Sequence, residues 1–273
     1  MIRFQRTTTD TWLSLLDSIM THGRKVSPRG QDTLEMISCT SEVDMNTPIV
    51  SSFVRNINTK FLFGEAWWIL SGSNRVSDIT PYLKNIAQFS DDGITFNGAY
   101  GPKVIDQLPY ALKCLVDDEC SRQAVISIWR EKPAPSKDIP CTLSLQFFIR
   151  DGKLHTQANM RSSDAWLGWV YDVFNFSMIS AWLAIALRRH EKYKALTLGE
   201  LYLTAGSQHL YMRNKDKAVE ALDIIFENHV DVNPIKLSWY THPEELVTDL
   251  RLAANDTPGS RIISMVENMR SPK

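Results

Sequence analysis

The sequence has almost no charge bias. Its 273 residues carry 30 Lys and Arg against 31 Asp and Glu, a formal net charge of -1. A general nucleic-acid binder shows a basic surplus, and none is present. A local basic site for a single phosphate stays open. Cysteine is scarce: there are four, Cys39, Cys114, Cys120 and Cys141, and none forms a CxxC pair. A chain this long needs no disulfide framework, so reduced thiols in a cytoplasm are the expectation. Zinc-type His/Cys spacing, GxGxxG and a P-loop are all missing, so no metal is expected. "MIRFQRTTTDTW" has no apolar signal core. The most apolar run, "VFNFSMISAWLAIAL", is too short to span a bilayer and carries Asn175, Ser177 and Ser180. It reads as a buried core helix. Repeats, low-complexity tracts and linkers are also lacking, so residues 1–273 read as one domain.

What is present is a mixture of helix and strand patterns. "TWLSLLDSIMTHG" reads as a helix capped by Thr9 or Asp10 and stopped at Gly23. "RKVSPRGQD" reads as a basic loop and "TLEMISCTSEV" as a strand. "VSSFVRNINTKFLFGEAWWILSG" reads as one long helix closed by Gly72. A polar stretch runs to "FNGAYGPK", and "LPYALKCLVDD" is helical. "QAVISIWR" is a strand and "EKPAPSKD" a loop. In "TLSLQFFIR", Leu143, Leu145, Phe147 and Ile149 alternate with polar residues. Asp151-Gly152 is a two-residue hairpin signal, and "KLHTQANM" is the return strand. "LTLGELYLTAGSQHLYMR" reads as strand and loop, with a helix from about Lys215. Together these indicate an α+β fold.

Several residues invite chemistry, each with a plain alternative. Cys141, beside a strand, is either a small buried hydrophobe or a nucleophile. A nucleophile needs a thiolate, hence positive charge or a helix N-terminus nearby. Arg161 follows an inner strand, where it must be paired. Its partner is either a carboxylate such as Asp164 or a bound phosphate, whose oxygens match guanidinium donors. Glu65, in "FLFGEAWWIL", is either a solvated helix carboxylate or an acid/base group with a raised pKa. His209 and Tyr211 share one strand face, as a packing pair or as hydroxyl binders.

The ordered set "GEAWWILSG", "NGAYG", "SRQAVISIW", "PCT…QFFI", "MRSSDAWLG" and "GSQHLY" resembles the thymidylate synthase superfamily. The resemblance runs from about Trp12 to Arg213 and is strongest from Pro140 to Asp172. It implies an α+β fold with a large mixed β-sheet forming a homodimer interface, covered by helices around a long buried central helix. It implies that Cys141 adds to C6 of a pyrimidine nucleotide, with Glu65 moving protons and ordering water and Tyr100 also in the active site. Arg161, Ser162 and Arg29 (less so Arg24) would hold the phosphate, with Arg122 reaching across from the second subunit, and Ser163 would also bind substrate. Where the family has a further arginine, this chain has Gln123. His209 and Tyr211 would bind the sugar hydroxyl. Methylenetetrahydrofolate, the co-substrate, would meet Arg55, Ile86, Phe89, Asp164, Leu167, Gly168 and Tyr171.

Two departures bear on the reaction. Asp172 stands where most thymidylate synthases have an asparagine that reads uracil. An ionised aspartate has no donor for O4 but accepts from a cytosine amino group. The same choice occurs in the phage deoxycytidylate hydroxymethylases. Ile86 falls about where the synthases place a tryptophan that shields the transferred carbon from water. "ENMRSPK" also lacks the apolar tail that closes the synthase site. The expectation is therefore 5-hydroxymethylation of dCMP (or CMP). Alternatives are a uridylate-specific relative, a dCMP methyltransferase, and a silent nucleotide- or RNA-binding relative.

Overall fold

The structure is a computed structural model that describes residues 7–132, 135–223 and 230–269. One mixed six-stranded sheet organises it. In chain order the strands are β1 (Arg24–Val26), β2 (Thr33–Asp44), β3 (Val125–Ser127), β4 (Thr142–Arg150), β5 (Lys153–Asp164) and β6 (Thr197–Tyr211). Their spatial order is β1-β2-β6-β5-β4-β3. All neighbours are antiparallel except β5 and β6, which are parallel. A parallel pair needs a crossover, and here it is the helix α5 (Trp169–Arg188). The α+β expectation holds.

The alternation in "TLSLQFFIR" decides which face is core. Leu145, Phe147 and Ile149 are buried, as are Leu154, Ala158, Leu201 and Leu203. Thr40, Gln157, Asn159 and Thr204 are partly or fully exposed and bond to one another or to neighbouring strands. α5 is long and apolar enough to cross a membrane by composition, but 83% of its most apolar window is buried inside the protein. It is the expected core helix. Against it pack α2 (Thr59–Leu70), α4 (Gly101–Asp117) and α7 (Pro243–Ala254), while α1 (Thr8–His22) lies on β2, the single turn α3 (Val76–Ile79) on α2 and α6 (Lys215–Asp223) on α1.

Several boundaries differ from the sequence reading. α1 is capped by Thr7, whose side chain accepts from Asp10 N while Asp10 reaches back to the Thr7 backbone. The long helix expected from Val50 begins only after Asn58, whose side chain accepts from Phe61 N. Asn56, at φ 41°, stops any earlier start. α4 starts at Gly101 and runs through Pro109. Its buried stripe of Val104, Leu108, Ala111 and Leu115 outweighs a proline cost of about 3 kcal/mol. Only Val125–Ser127 of "QAVISIWR" pairs as strand. The basic "RKV" is itself a short edge strand. The expected strand-and-loop after α5 is one continuous strand, β6. Gly206 within it lets two strands close up, since a Cβ there would lie 3.2 Å from the Arg161 carbonyl oxygen. The C-terminal residues 270–273, part of the "ENMRSPK" reading, lie outside the described residues.

Candidate active site

The Asp151-Gly152 turn, with both residues at positive φ, forms the tight hairpin that the sequence announces. Folding β5 back on β4 brings Arg161 opposite Cys141. The Arg161 N–H donates to the Cys141 carbonyl at 2.8 Å. Its guanidinium donates to the carbonyls of Pro140 and Ile139, both at 3.0 Å, and Nη2 sits 3.7 Å from Cys141 Sγ. The Trp129 ring lies 6.0 Å from the guanidinium carbon. No ion pair to a carboxylate is found for Arg161 among the described residues, so the Asp164 salt bridge is not formed. Burial pushes the Cys141 thiol up, and Arg161 opposes this most strongly. Asp172 and Asp138 raise it further, and Arg29 lowers it. In the free protein Cys141 is thus a thiol poised beside a cation, not a standing thiolate.

The second part of the site comes from two helices. Asp172 and Asn175 are three residues apart on α5 and share a face. Asn175 Nδ2 donates to Glu65 Oε2 on α2 at 2.8 Å. Burial pushes Glu65 up to about 7, and the Asn175 bond partly counters it. Asp172 is raised well above the carboxylate range by burial first, then by Glu65 and Asp164. Burial and the two neighbouring carboxyls thus favour the neutral form of Asp172 over the carboxylate. Tyr100, just before α4, accepts from Thr142 N at 3.3 Å, and burial with the fields of Asp172 and Cys141 pushes its hydroxyl up.

The third part lies at the far ends of β5 and β6. Parallel pairing sets Ser162 beside Ser207 and Asp164 beside His209. Asp164 Oδ1 caps a turn, accepting from Trp166 N at 2.8 Å and Leu167 N at 3.1 Å. His209 and Tyr211 meet edge to face with ring centroids 5.1 Å apart. Arg213 stacks on Tyr211 at 4.1 Å and donates to Gln31 Oε1 at 2.6 Å, beside the Pro28–Gly30 turn that carries Arg29. Ser163 is buried and takes bonds from Gln208 Nε2 at its carbonyl and hydroxyl.

The residues expected near a co-substrate lie on several elements. Arg55 Nε donates to the Trp166 carbonyl at 2.7 Å, and its guanidinium lies 5.7 Å from the Trp166 ring and 5.5 Å from the Tyr171 ring. Tyr171 Oη accepts from Asn58 N. Gly168 precedes α5, and its carbonyl accepts from Asp172 N at 3.0 Å. Leu167 is exposed. Ile86 and Phe89 share a short helix, Lys84–Phe89, and Phe89 is 49% exposed. Arg122 is not brought to Cys141 within one chain. It lines a separate cavity with Tyr110, Lys113, Cys114, Cys120 and Arg150.

Several buried polar atoms have no partner among the described residues: Asp164 Oδ2, His209 Nδ1, Asn175 Oδ1, Gln208 Oε1 and Thr142 Oγ1. Proteins rarely leave such atoms unpaired, and a polar ligand is one reason to do so. The sequence reading missed Asn175, Trp129 and Arg213 as parts of the site. For Asn175 the signal was a carboxamide inside an apolar run, one turn from Asp172.

The chain is 30% identical over 227 residues to a deoxyuridylate hydroxymethyltransferase of Bacillus phage SP01, covering 75% of this chain and 57% of that protein. It is 32% identical over 140 residues to a deoxyuridylate hydroxymethyltransferase of Pseudomonas phage M6, covering 48% of this chain and 40% of that protein. It thus spans about half the length of the curated relatives it matches. The family model described as thymidylate synthase matches residues 10–238, from α1 past β6, and the chain belongs to the thymidylate synthase family.

Proposed function

We propose that the protein is a folate-dependent hydroxymethylase acting at C5 of a pyrimidine deoxynucleoside monophosphate, with cytosine as the base. The observation that carries this reading is an aspartate, Asp172, buried within the fields of Glu65 and Cys141, where its neutral form is favoured. A carboxylic acid can donate its proton to cytosine N3 and accept from the N4 amino group. Moving that proton onto N3 makes the pair charge-assisted and withdraws electrons from C6, where the Cys141 sulfur adds. Arg161, 3.7 Å away, favours the thiolate that must form. It and Ser162 would take the phosphate. Arg29 is preferred to Arg24 there, because its charge reaches Cys141. His209 and Tyr211 would bind the sugar hydroxyl.

The net reaction is dCMP plus methylenetetrahydrofolate plus water giving 5-hydroxymethyl-dCMP plus tetrahydrofolate. The folate supplies a one-carbon unit at the oxidation level of formaldehyde. The unsatisfied Asp164 Oδ2 fits a pterin amine, and Arg55, Tyr171, Leu167, Ile86 and Phe89 would form the rest of that surface. Support for hydroxymethyl over methyl comes from Ile86 in place of a shielding tryptophan and from the printed names of the relatives.

A second reading takes uracil. The same neutral Asp172 can donate to O4 and accept from N3–H, and the two relatives are named for deoxyuridylate. Mass spectrometry of products from methylenetetrahydrofolate with dCMP, CMP and dUMP in separate reactions tests both. A hydroxymethyl increment on dCMP is the expected result. The same increment on dUMP alone selects the second reading, and a methyl increment overturns hydroxymethylation.

A further inference from the structure

Asn175 is 3% exposed, sits inside an otherwise apolar stretch of α5, and spends only half of its amide on the protein. Nδ2 donates to Glu65 Oε2 at 2.8 Å, whereas Oδ1 is buried with no partner among the described residues. A buried amide oxygen left unpaired forfeits its hydration with nothing in return. The core around it offers many ways to avoid that cost, since Val173, Phe174, Phe176 and Met178 are all fully buried. The unpaired oxygen lies on the same residue that holds Glu65 and on the same helical face as Asp172.

We propose that Asn175 positions the reacting water: its Nδ2 fixes the Glu65 carboxylate and its Oδ1 accepts a hydrogen from the water that adds to the one-carbon unit on C5. This deepens, and rests on, the hydroxymethylase reading. After the one-carbon unit has reached C5 of the Cys141 adduct, that carbon is an exocyclic methylene conjugated with C4. The water oxygen bonds to it, and the water proton passes to Glu65. The displaced electron pair moves to the heteroatom on C4. It then returns to close the C5–C6 double bond as the C6–Sγ bond breaks and Cys141 leaves as thiolate. Nothing is oxidised or reduced, and the proton on Glu65 returns to solvent or to the thiolate. Water held by an amide and a carboxylate in one geometry would add faster than water diffusing into the cleft.

The neighbours of Glu65 set what a variant should show. Asp172 is the titratable group that shares its field, and Tyr100 and Cys141 in turn act with Asp172. Removing the Nδ2 donor leaves burial unopposed at Glu65.

The test uses Asn175→Leu, which removes both amide functions at similar volume, and Asn175→Asp, which keeps the oxygens and loses the N–H. Three quantities are read for the whole protein with the nucleotide that the wild type converts. They are tritium release from C5, covalent capture of the 5-fluoro nucleotide by Cys141, and hydroxymethyl product. Tritium release and capture need the adduct but not the added water. We expect Asn175→Leu to retain capture and at least a third of tritium release while losing tenfold or more of hydroxymethyl product. Its acidic limb of product formation should move to higher pH. Asn175→Asp should fall between the two. Hydroxymethyl formation at the wild-type rate in Asn175→Leu overturns the proposal. So does a parallel loss of all three quantities in both variants, which marks a purely structural residue. A wild-type protein that yields no hydroxymethyl product removes the underlying reading instead, and that is seen before any variant is made.

Discussion

Arg161 and Cys141 are joined twice, by a backbone hydrogen bond of 2.8 Å and by a guanidinium-to-sulfur approach of 3.7 Å. The guanidinium is also the donor for the carbonyls of Ile139 and Pro140, so it holds the loop that presents the thiol. Arg161→Ala should therefore do two things. Two carbonyls lose their donors, which should cost about 1–3 kcal/mol in urea unfolding. Cys141 loses the cation that lowers its pKa, so iodoacetamide should label it more slowly at neutral pH, as read by peptide mapping. Arg161→Lys should restore part of the labelling rate but not the stability, because an ammonium lacks the planar fork.

Cys141→Ser should abolish turnover, by at least about a thousandfold, because a serine hydroxyl beside Arg161 is a far weaker nucleophile. Nucleotide binding measured by calorimetry should survive, since Arg161, His209 and Tyr211 remain in place. Turnover within tenfold of wild type would rule out the covalent route.

Glu65 carries a pH signature in stability. Its pKa rises from 4.5 to about 7 on folding, because burial disfavours the charged form. The folded state thus holds a proton that the unfolded chain gives up. The contribution is fully present below the unfolded value and is lost as pH rises through the folded one, so stability should fall between about pH 4.5 and 7. The size is about 3 kcal/mol at most. Asp172 acts with the same sign. Glu65→Gln should flatten this part of the curve in urea melts taken across the range, and an unchanged slope would count against a buried, neutral Glu65.

Arg122 lies away from Cys141 in its own chain, lining a cavity with Lys113 and Arg150. If it serves a partner's phosphate site, Arg122→Ala and Cys141→Ala proteins should each be inactive yet regain activity when refolded together. A mixed dimer contains one site with both residues intact, so up to about a quarter of wild-type sites should recover. No recovery would mean that Arg122 does not act in trans.

Much of this was legible in the sequence, for identifiable reasons. The hairpin was readable because Asp151-Gly152 sits between two alternating strands, and α5 because its apolar run is longer than a usual strand. Cys141 lies within the fields of Arg161 and Asp172, and Asp172 within those of Glu65 and Asp164. Other features were not legible. Asn56 in a left-handed conformation ends what hydrophobicity extends to Val50. Pro109 sits inside α4 because tertiary burial overrides local propensity. Protonation is another. Whether Asp172 is charged depends on Glu65, 107 positions away in sequence, and on a burial that only the fold creates. Arg213 was overlooked because its partners, Tyr211 and Gln31, belong to different ends of the chain.

The parallel β5–β6 pair divides the cleft by the order in which it can be built. Cys141 and Arg161 stand on the two arms of one tight hairpin and can meet with little loop to close. His209 and Tyr211 cannot join Ser162 and Asp164 until α5 has formed and carried β6 back across the sheet. A chain caught midway would already hold its thiol against its guanidinium while lacking the part of the site that His209 and Tyr211 complete. For a reactive cysteine this is the vulnerable interval: exposed to oxidants and alkylating metabolites, activated by a cation, and not yet guarded by the selectivity of the finished site.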